Sequence, residues 1–252
     1  MIVLGLDTST QTSGIALVDG DRLLADARHA PPPGGGRHAD LLVAIDEVCR
    51  RAAVTPARLD AIAIGVGPGS FTGLRIGMAT AKGIAFAAGR PLWAVSSLAA
   101  LAYDAAAALA GASLAGEPAA GLADLPGAPA AGAVIAAVLD ARRGEVFAGC
   151  FRGGAPLGEE RVMAPEALAP WAFELAAGAP VRYAGDARAA HPALAPLADR
   201  WLPVETPSGA AVAWLALAGP REDVLLGGAP SYIRPSEAEV KYPDGVPGAL
   251  RR

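Results

Sequence analysis

The 252-residue sequence predicts an α/β protein built from two units of the same kind. Each unit opens with short, closely spaced strand patterns, a β-meander, and continues with segments of helical periodicity. A stretch rich in Pro, Gly and Ala at residues 117–132 reads as the connector between them. Two meander-plus-helices units in succession are typical of the duplicated actin-like, ribonuclease-H-like (ASKHA) architecture, with mixed sheets flanked by helices. The likeness between the units is one of pattern only, because no residues repeat convincingly.

The first unit follows from hydrophobic periodicity and from turn residues. Its predicted strands cover residues 2–6, 14–18, 23–28, 61–66 and 92–95, and its predicted helices cover 38–53, 72–88 and 99–114. The helix at 38–53 carries an apolar face at helical spacing, made of Leu41, Leu42, Ile45, Val48 and Cys49. A loop at 31–36 precedes it.

The second unit repeats the order of strands and helices. Predicted strands at 133–140 and 145–151 form a hairpin around Arg142, Arg143 and Gly144, and a third strand covers 181–184. Predicted helices cover 166–177 and 208–218. The two turn arginines have two interpretations: solvated charges at a hairpin turn, or a contact for tRNA or another anion.

The most distinctive motif lies between Asp60 and Leu98. A buried-strand pattern runs into Gly67-Pro68-Gly69, after which Ser70 or Thr72 can cap a helix. The N–H groups at such a helix start can hold an anion, or a hydroxyl cap can satisfy them; the residues leave both interpretations open. The motif lacks the Gly-Lys-Ser/Thr end of a Walker loop, and Thr72 stands where a dinucleotide fingerprint needs its third glycine.

Four motifs in this order resemble the TsaB (YeaZ) family of tRNA threonylcarbamoyladenosine biosynthesis proteins. They are Leu4–Ser9 with Gly14–Leu17, Gly67–Gly77 with Ala81–Gly83 and Val95–Leu98, Asp140–Phe147, and Pro230–Arg234. The resemblance covers nearly the whole chain and implies the same ASKHA fold. It implies a first domain at 1–105 with a C-terminal segment of about 205–240 packed back on it, a degenerate second domain at 106–204, and a tail at 241–252.

The resemblance also implies a function. The chain would be a scaffold and activator, and not itself an enzyme, in the complex that makes N6-threonylcarbamoyladenosine (t6A) at position 37 of tRNA. The chemistry would belong to a metal-bearing TsaD subunit, and a TsaE ATPase would join the assembly. The chain would contact tRNA through the complex, would form a homodimer when alone, and would have no cofactor of its own, although ATP or ADP could bind in the complex.

An ATP-dependent kinase of the actin-like superfamily is the alternative function. A carboxylate and hydroxyls in the first hairpin turn could face Mg²⁺ and phosphate. The candidate nucleotide- or phosphate-binding residues are Asp7, Thr8, Ser9, Gly69 and Ser70. The same side chains also predict a turn stabilised by hydrogen bonds to its own backbone.

A metallopeptidase is the third function class, and it requires metal ligands. His38 lies at a helix start, but Leu42 and Gly34 occupy the positions four residues away, so the sequence offers no helical histidine pair. His29 and His191 receive no role. We therefore predict no catalytic and no metal-binding residues in this chain.

Charge and cysteine content limit which partners the protein can bind and which cellular compartment it can occupy. A formal charge of −4 argues against a protein that grips nucleic acid unaided. Cys49 and Cys150 are predicted to be buried thiols in a reducing compartment, and no segment reads as a signal peptide or membrane span, so we expect a cytoplasmic protein.

A scaffold must act through a surface. Small residues at four-residue spacing permit close helix packing, and two helices could join two from a like-folded partner in a four-helix interface. The predicted interface consists of Leu41, Leu42, Ile45, Leu74, Gly77, Met78 and Ala81. The alternative is that these helices cover their own sheet.

Overall fold

The computed structural model describes residues 1–30, 37–111 and 133–233. The strands are β1 (Ile2–Asp7), β2 (Ser13–Asp19), β3 (Arg22–His29), β4 (Ala61–Gly65), β5 (Leu92–Val95), β6 (Val134–Arg142), β7 (Glu145–Arg152), β8 (Ala155–Pro156), β9 (Arg161–Met163) and β10 (Val181–Ala184). The α-helices are α1 (Arg37–Arg51), α2 (Phe71–Ala88), α3 (Ser97–Leu109), α4 (Pro165–Ala176), α5 (Ala187–Ala190) and α6 (Gly209–Ala218). Short 3₁₀ helices cover Pro56–Arg58 and Pro192–Arg200.

The first sheet has five strands in the order β3-β2-β1-β4-β5. Its central strand β1 pairs antiparallel with β2 and parallel with β4, and β4 pairs parallel with β5. This order, with a three-stranded meander on one side and parallel strands on the other, is that of a ribonuclease-H-like unit. Asp7, the last residue of β1, lies at the edge where the parallel strands end.

The second sheet is a shorter version of the same arrangement. Strand β6 pairs antiparallel with β7 and parallel with β10, while the short strands β8 and β9 both pair with β7. Strand β6 therefore occupies the position of β1, and β10 that of β4. The predicted fold class, two mixed sheets flanked by helices in a duplicated ASKHA arrangement, is confirmed.

Helices cover both faces of the first sheet. Successive residues of β1 point to opposite faces, so Leu4 packs with the residues of α1 and α2, whereas Val3 packs with α3 and α6. Helix α6 is buried almost all round, because it returns from beyond the second sheet and lies against β1 and β2. Its apolar, alanine-rich sequence suits such close packing.

Helix α3 contributes to the cores of both sheets. Tyr103 packs against the first sheet, and Leu98 and Leu101 pack against β6 and β7 of the second. The other face of the second sheet is covered by α4 and α5. One helix therefore supplies apolar side chains to two cores, which holds the sheets together.

The structure corrects several element predictions. The third helix begins at Ser97 because Ser96 caps it by accepting a hydrogen bond from the Ala99 N–H, and it ends at Leu109. Strands β8 and β9, helix α5 and both 3₁₀ helices were not predicted, because they are short and have little periodicity. The predicted loop at 31–36, the connector at 117–132, Arg234 and the tail at 241–252 lie outside the described residues.

Candidate functional site

The end of β1 carries a buried carboxylate that connects three segments. Asp7 Oδ1 accepts hydrogen bonds from the Ser9 N–H at 2.9 Å and from the Ser9 hydroxyl at 2.6 Å. Asp7 Oδ2 accepts one from the Ser97 hydroxyl at 2.6 Å, and Ser97 Oγ in turn accepts from the Gly67 N–H at 3.1 Å. The side chain of Asp7 thus joins the β1–β2 turn, the loop that precedes α2, and the first turn of α3.

Burial dominates the electrostatics of this carboxylate. Asp7 is fully buried, and the loss of solvent raises its pKa above the usual value, while the hydrogen bonds from Ser9 and Ser97 act in the opposite direction. A carboxylate that is enclosed and bonded at both oxygens cannot bind an ion from solvent unless the turn opens. Its hydrogen bonds hold three segments of the chain together.

The other candidate phosphate-binding residues are also engaged within the protein. Thr8 and Ser9 are buried, and the Thr8 hydroxyl donates to the Gly73 carbonyl at 2.9 Å. Ser70 caps α2, since its Oγ accepts from the Gly73 N–H, and a side chain at Gly69 would overlap Ser9. In this conformation the side chains of Asp7, Thr8, Ser9 and Ser70 all take part in hydrogen bonds within the protein.

The turn and α2 lie close together because α2 has glycines where it crosses the turn. A Cβ at Gly73 would overlap the Thr8 carbonyl, and a Cβ at Gly77 would overlap the Thr8 hydroxyl. The four-residue spacing of these glycines therefore serves contact with the chain's own β1–β2 turn.

This packing corrects the predicted partner interface. Leu42 is 54% exposed, but the other six residues are buried in the core of the first unit: Leu41, Ile45, Leu74, Gly77, Met78 and Ala81. The prediction selected the inner side of both helices. Hydrophobic periodicity marks the buried side of a helix and does not distinguish its own sheet from a partner.

The outer side of the same two helices carries an apolar groove of about 970 Å³. It is lined by Leu42 of α1, by Pro56 and Ala57 of the first 3₁₀ helix, and by residues of α2 and just beyond it, namely Ala79, Thr80, Gly83, Ile84, Ala87, Ala88 and Arg90. Phe86 next to the groove is 78% exposed, and Val43 of α1 is also exposed. A surface with several large exposed apolar side chains next to a groove of small residues is suited to protein association.

The β6–β7 turn of the second sheet has a different, charged environment. Arg142 and Arg143 both adopt left-handed backbone conformations, with φ of 62° and 56°. Arg142 Nη1 lies 3.0 Å from Asp140 Oδ2, and His191 Nε2 lies 3.1 Å from Asp140 Oδ1. Asp186 accepts from the Asp140 N–H at 2.9 Å, and burial raises its pKa to about 6. The structure thus gives His191 a carboxylate partner that no local sequence pattern indicated.

A second buried carboxylate, Asp104 of α3, holds the start of α6. It accepts hydrogen bonds from the Ser208 N–H at 2.6 Å and the Ser208 hydroxyl at 2.7 Å, and the guanidinium of Arg28 lies 3.8 Å away. Burial raises the pKa of Asp104 to about 6. The only sequence signal was an acidic residue within an apolar helix, because its partner lies 104 residues further along.

Both cysteines are buried free thiols, as predicted. Within residues 1–30, 37–111 and 133–233, no three His, Cys, Asp or Glu side chains are grouped so as to hold a metal ion. The side chain of His38 lies outside the described residues. No helix in the described part of the chain has the length and apolar character needed to cross a membrane.

Comparison with known structures decides the family. The structure of YeaZ from Pseudomonas aeruginosa superposes with a TM-score of 0.67 at 30% identity, over 92% of this chain and 99% of that one. The chain belongs to the TsaB (YeaZ) family. The resemblance inferred from the four motifs is confirmed.

Curated relatives agree with this assignment over shorter stretches. The tRNA threonylcarbamoyladenosine biosynthesis proteins TsaB of Haemophilus influenzae and Bacillus subtilis are 36% identical over 106 residues and 31% identical over 152 residues. These matches cover 42% and 60% of this chain, and 43% and 56% of the two relatives, so the chain spans about half their length. The family model for TsaD, tRNA N6-adenosine threonylcarbamoyltransferase, matches residues 31–124. That region contains α1, α2 and α3.

Proposed function

We propose that this TsaB-family protein is the non-catalytic subunit that binds and activates a TsaD-family transferase in the synthesis of N6-threonylcarbamoyladenosine on tRNA. The observation that supports it best is the apolar groove between the outer sides of α1 and α2. A protein without a reactive group can change a reaction only by binding one conformation of its partner more tightly than another. The groove offers a surface for such binding.

The partner is inferred from the match to the TsaD-family model. Because that model matches the segment that contains α1 and α2, a transferase of that family has a corresponding helix pair in its own fold. Two like-folded helix pairs can pack about a pseudo-twofold axis, in the way a symmetric dimer does. The small side chains of Ala79 and Gly83 allow a facing helix to approach closely.

The internal bonding of the β1–β2 turn supports a non-catalytic role. Asp7 is the acidic residue among the predicted phosphate-binding residues, and both of its oxygens accept hydrogen bonds, Oδ1 from Ser9 and Oδ2 from Ser97. A catalytic or ion-binding carboxylate needs at least one accessible oxygen. This arrangement favours the scaffold over the kinase.

The remaining parts of the proposal follow from the same surface and from the family. The exposed groove would be covered by a second copy of this chain when the transferase is absent, giving a homodimer that competes with the active complex. A TsaE-family ATPase and tRNA would join through the assembled complex in the cytoplasm, and any ATP or ADP would bind in that complex.

Reconstitution with a purified TsaD-family subunit and tRNA tests the proposal. Gly83→Glu places a charge in the groove at a position with open space around it, so the variant should fold and lose partner binding by about 100-fold, because an unpaired charge in an apolar interface costs several kcal/mol. Calorimetry measures the binding and mass spectrometry measures t6A. Phe173→Glu, at an exposed position of α4, is the control and should bind normally.

Two results would contradict the proposal. One is formation of t6A by this chain alone. The other is a folded Gly83→Glu variant that binds and activates the transferase like the unmodified protein, since the groove would then have no part in the complex.

A further inference from the structure

Three side chains from two distant segments form an exposed cluster at the start of α2. The rings of Phe71 and Tyr232 have centroids 5.2 Å apart and are tilted by 35°. The guanidinium of Arg75 lies 4.0 Å from the centre of the Phe71 ring, and its Nε donates to the Tyr232 hydroxyl at 3.2 Å. We call Phe71, Arg75 and Tyr232 the aromatic cluster.

Backbone contacts fix Tyr232 in this place. The Ser231 N–H donates to the Val66 carbonyl at 2.7 Å, directly after β4, and a Cβ at Gly67 would meet the Ser231 carbonyl. The segment at 231–233 is therefore held across the loop that precedes α2. The ring of Tyr232 is positioned by main-chain bonding as well as by its own contacts.

The cluster leaves much of both rings in solvent. Phe71 is 42% exposed and Tyr232 is 39% exposed. The buried part of the two residues fastens the C-terminal segment, because buried apolar area provides stabilisation. The part that stays in solvent presents an aromatic surface with a cation beside it, and tyrosine and arginine are enriched at the energetic centres of protein interfaces.

The cluster adjoins the proposed docking groove along α2. Phe71, Arg75 and Ala79 follow one another at four-residue spacing on the exposed side, and Ala79 already lines the groove. Helix α2 contains Arg75 and Lys82 and has no acidic residue. Two cations are few for an RNA backbone, whereas they suit a protein surface with an apolar side chain and a carboxylate.

We propose that the aromatic cluster is part of the surface that binds the TsaD-family subunit, and that residues 231–233 thereby take part in partner binding. The partner would place an apolar side chain against the exposed rings and a carboxylate near Arg75. This inference rests on the proposed function, but it assigns a binding role to a C-terminal segment that lies outside the two docking helices.

Calorimetric titration of the full-length protein with a purified TsaD-family subunit tests the inference. Tyr232→Ala and Arg75→Glu should each weaken binding by at least about tenfold, as expected for interface centres, while Tyr232→Phe, which keeps the ring and loses the hydroxyl, should weaken it by about threefold or less. Phe173→Ala removes an aromatic ring of α4 that is more exposed than either ring of the cluster, and should have no effect. Circular dichroism and melting temperature establish that each variant is folded.

The outcomes separate this inference from the proposed function. If Gly83→Glu abolishes binding while folded Tyr232→Ala and Arg75→Glu bind normally, the cluster is not part of the interface and the groove is. If Tyr232→Ala lowers tRNA binding by the complex but leaves subunit affinity unchanged, the cluster is an RNA surface and the inference is wrong. Should Gly83→Glu also bind normally, the proposed interface itself fails.

Discussion

The ends of β1 and β6 occupy the same position in their two sheets, yet their surroundings differ. Each strand pairs antiparallel with the next strand of its hairpin and parallel with a later one. Asp7 at the end of β1 is enclosed and receives hydrogen bonds from hydroxyls and a backbone N–H. Asp140 near the end of β6 lies behind an exposed hairpin turn and contacts a guanidinium and an imidazole.

The difference comes from what covers each turn. In the first sheet, the glycine-rich start of α2 and the first turn of α3 lie directly on the β1–β2 turn. In the second sheet, the β6–β7 turn stays open and carries Arg142 and Arg143. An acidic residue after the central strand of this fold therefore does not by itself indicate a phosphate site. The segments that cover the turn decide whether the acidic side chain is enclosed in the protein or is accessible to a ligand.

The largest expected effect is on stability, and it differs between glycines that lie near the two turns. Gly77→Ala should destabilise the protein by about 3 kcal/mol, because the added methyl group overlaps the Thr8 hydroxyl in a closely packed region. Gly144→Ala in the open turn should cost about 1 kcal/mol, since no atoms crowd it and only its φ of 80° opposes a side chain. Denaturant unfolding measures both.

The control for this pair is Gly83→Ala in the same helix. It has open space and a helical backbone, so it should be neutral or stabilising by up to about 1 kcal/mol. Equal destabilisation by Gly77→Ala and Gly83→Ala would mean that α2 does not press on the β1–β2 turn.

A smaller difference in stability is expected between substitutions of the two carboxylates. Asp7→Asn should cost about 1–2 kcal/mol, because one acceptor atom of a buried network becomes a donor. Asp140→Asn should cost less than about 1 kcal/mol, since the amide oxygen can keep the contacts of Oδ1 with the Arg142 N–H and with His191 Nε2, and the pair with the largely exposed Arg142 guanidinium contributes little. Folded Asp7→Asn should still support t6A synthesis by the reconstituted complex. A large loss of synthesis with an unchanged melting temperature would favour nucleotide binding at Asp7.

The smallest effect is a pH dependence shared by both units. Burial raises the pKa of Asp104 and of Asp186 to about 6, so the folded protein binds these protons more tightly than the unfolded chain does. Their stabilising contribution is complete below the unfolded value of 3.8 and is lost as the pH rises through about 6.

The measurement is the difference in unfolding free energy between pH 4.5 and pH 7.5. Asp104→Asn and Asp186→Asn should each reduce this difference by on the order of 1 kcal/mol relative to the unmodified protein. Asp19, whose carboxylate is paired with the N-terminal amine at the surface, provides the control: its pKa is lowered, so Asp19→Asn should not reduce the loss of stability towards pH 7.5. If all three variants behave alike, the two buried carboxylates do not hold protons at pH 6.

Much of the fold could be predicted because its main elements are long and periodic. The helix at 71–88 and the strand at 92–95 were predicted at nearly their observed bounds, since Gly89 and Pro91 interrupt the pattern between them. Strands β8 and β9 have two and three residues and could not be found, because so short a segment shows no alternation. Their pairing with β7 is what defines them.

The candidate site was predicted less well, because its contacts join residues that are far apart in the sequence. Asp7 and Ser9 were recognised as a turn, but the bond that encloses Asp7 comes from Ser97, 90 residues away. Ser208, the partner of Asp104, lies 104 residues away, and the Tyr232 ring that contacts Phe71 is also far from it in sequence. No local pattern reports such neighbours.

The sequence by itself determined the family, the order of the main elements and which helices are amphipathic, because motifs and periodicity are properties of neighbouring residues. Only the tertiary structure decided which side of α1 and α2 faces outward. Leu41 and Met78 cover the first sheet, while Leu42 and Gly83 line the open groove. Residues with the same apolar character can lie on either side, so their roles depend on which other elements pack against them.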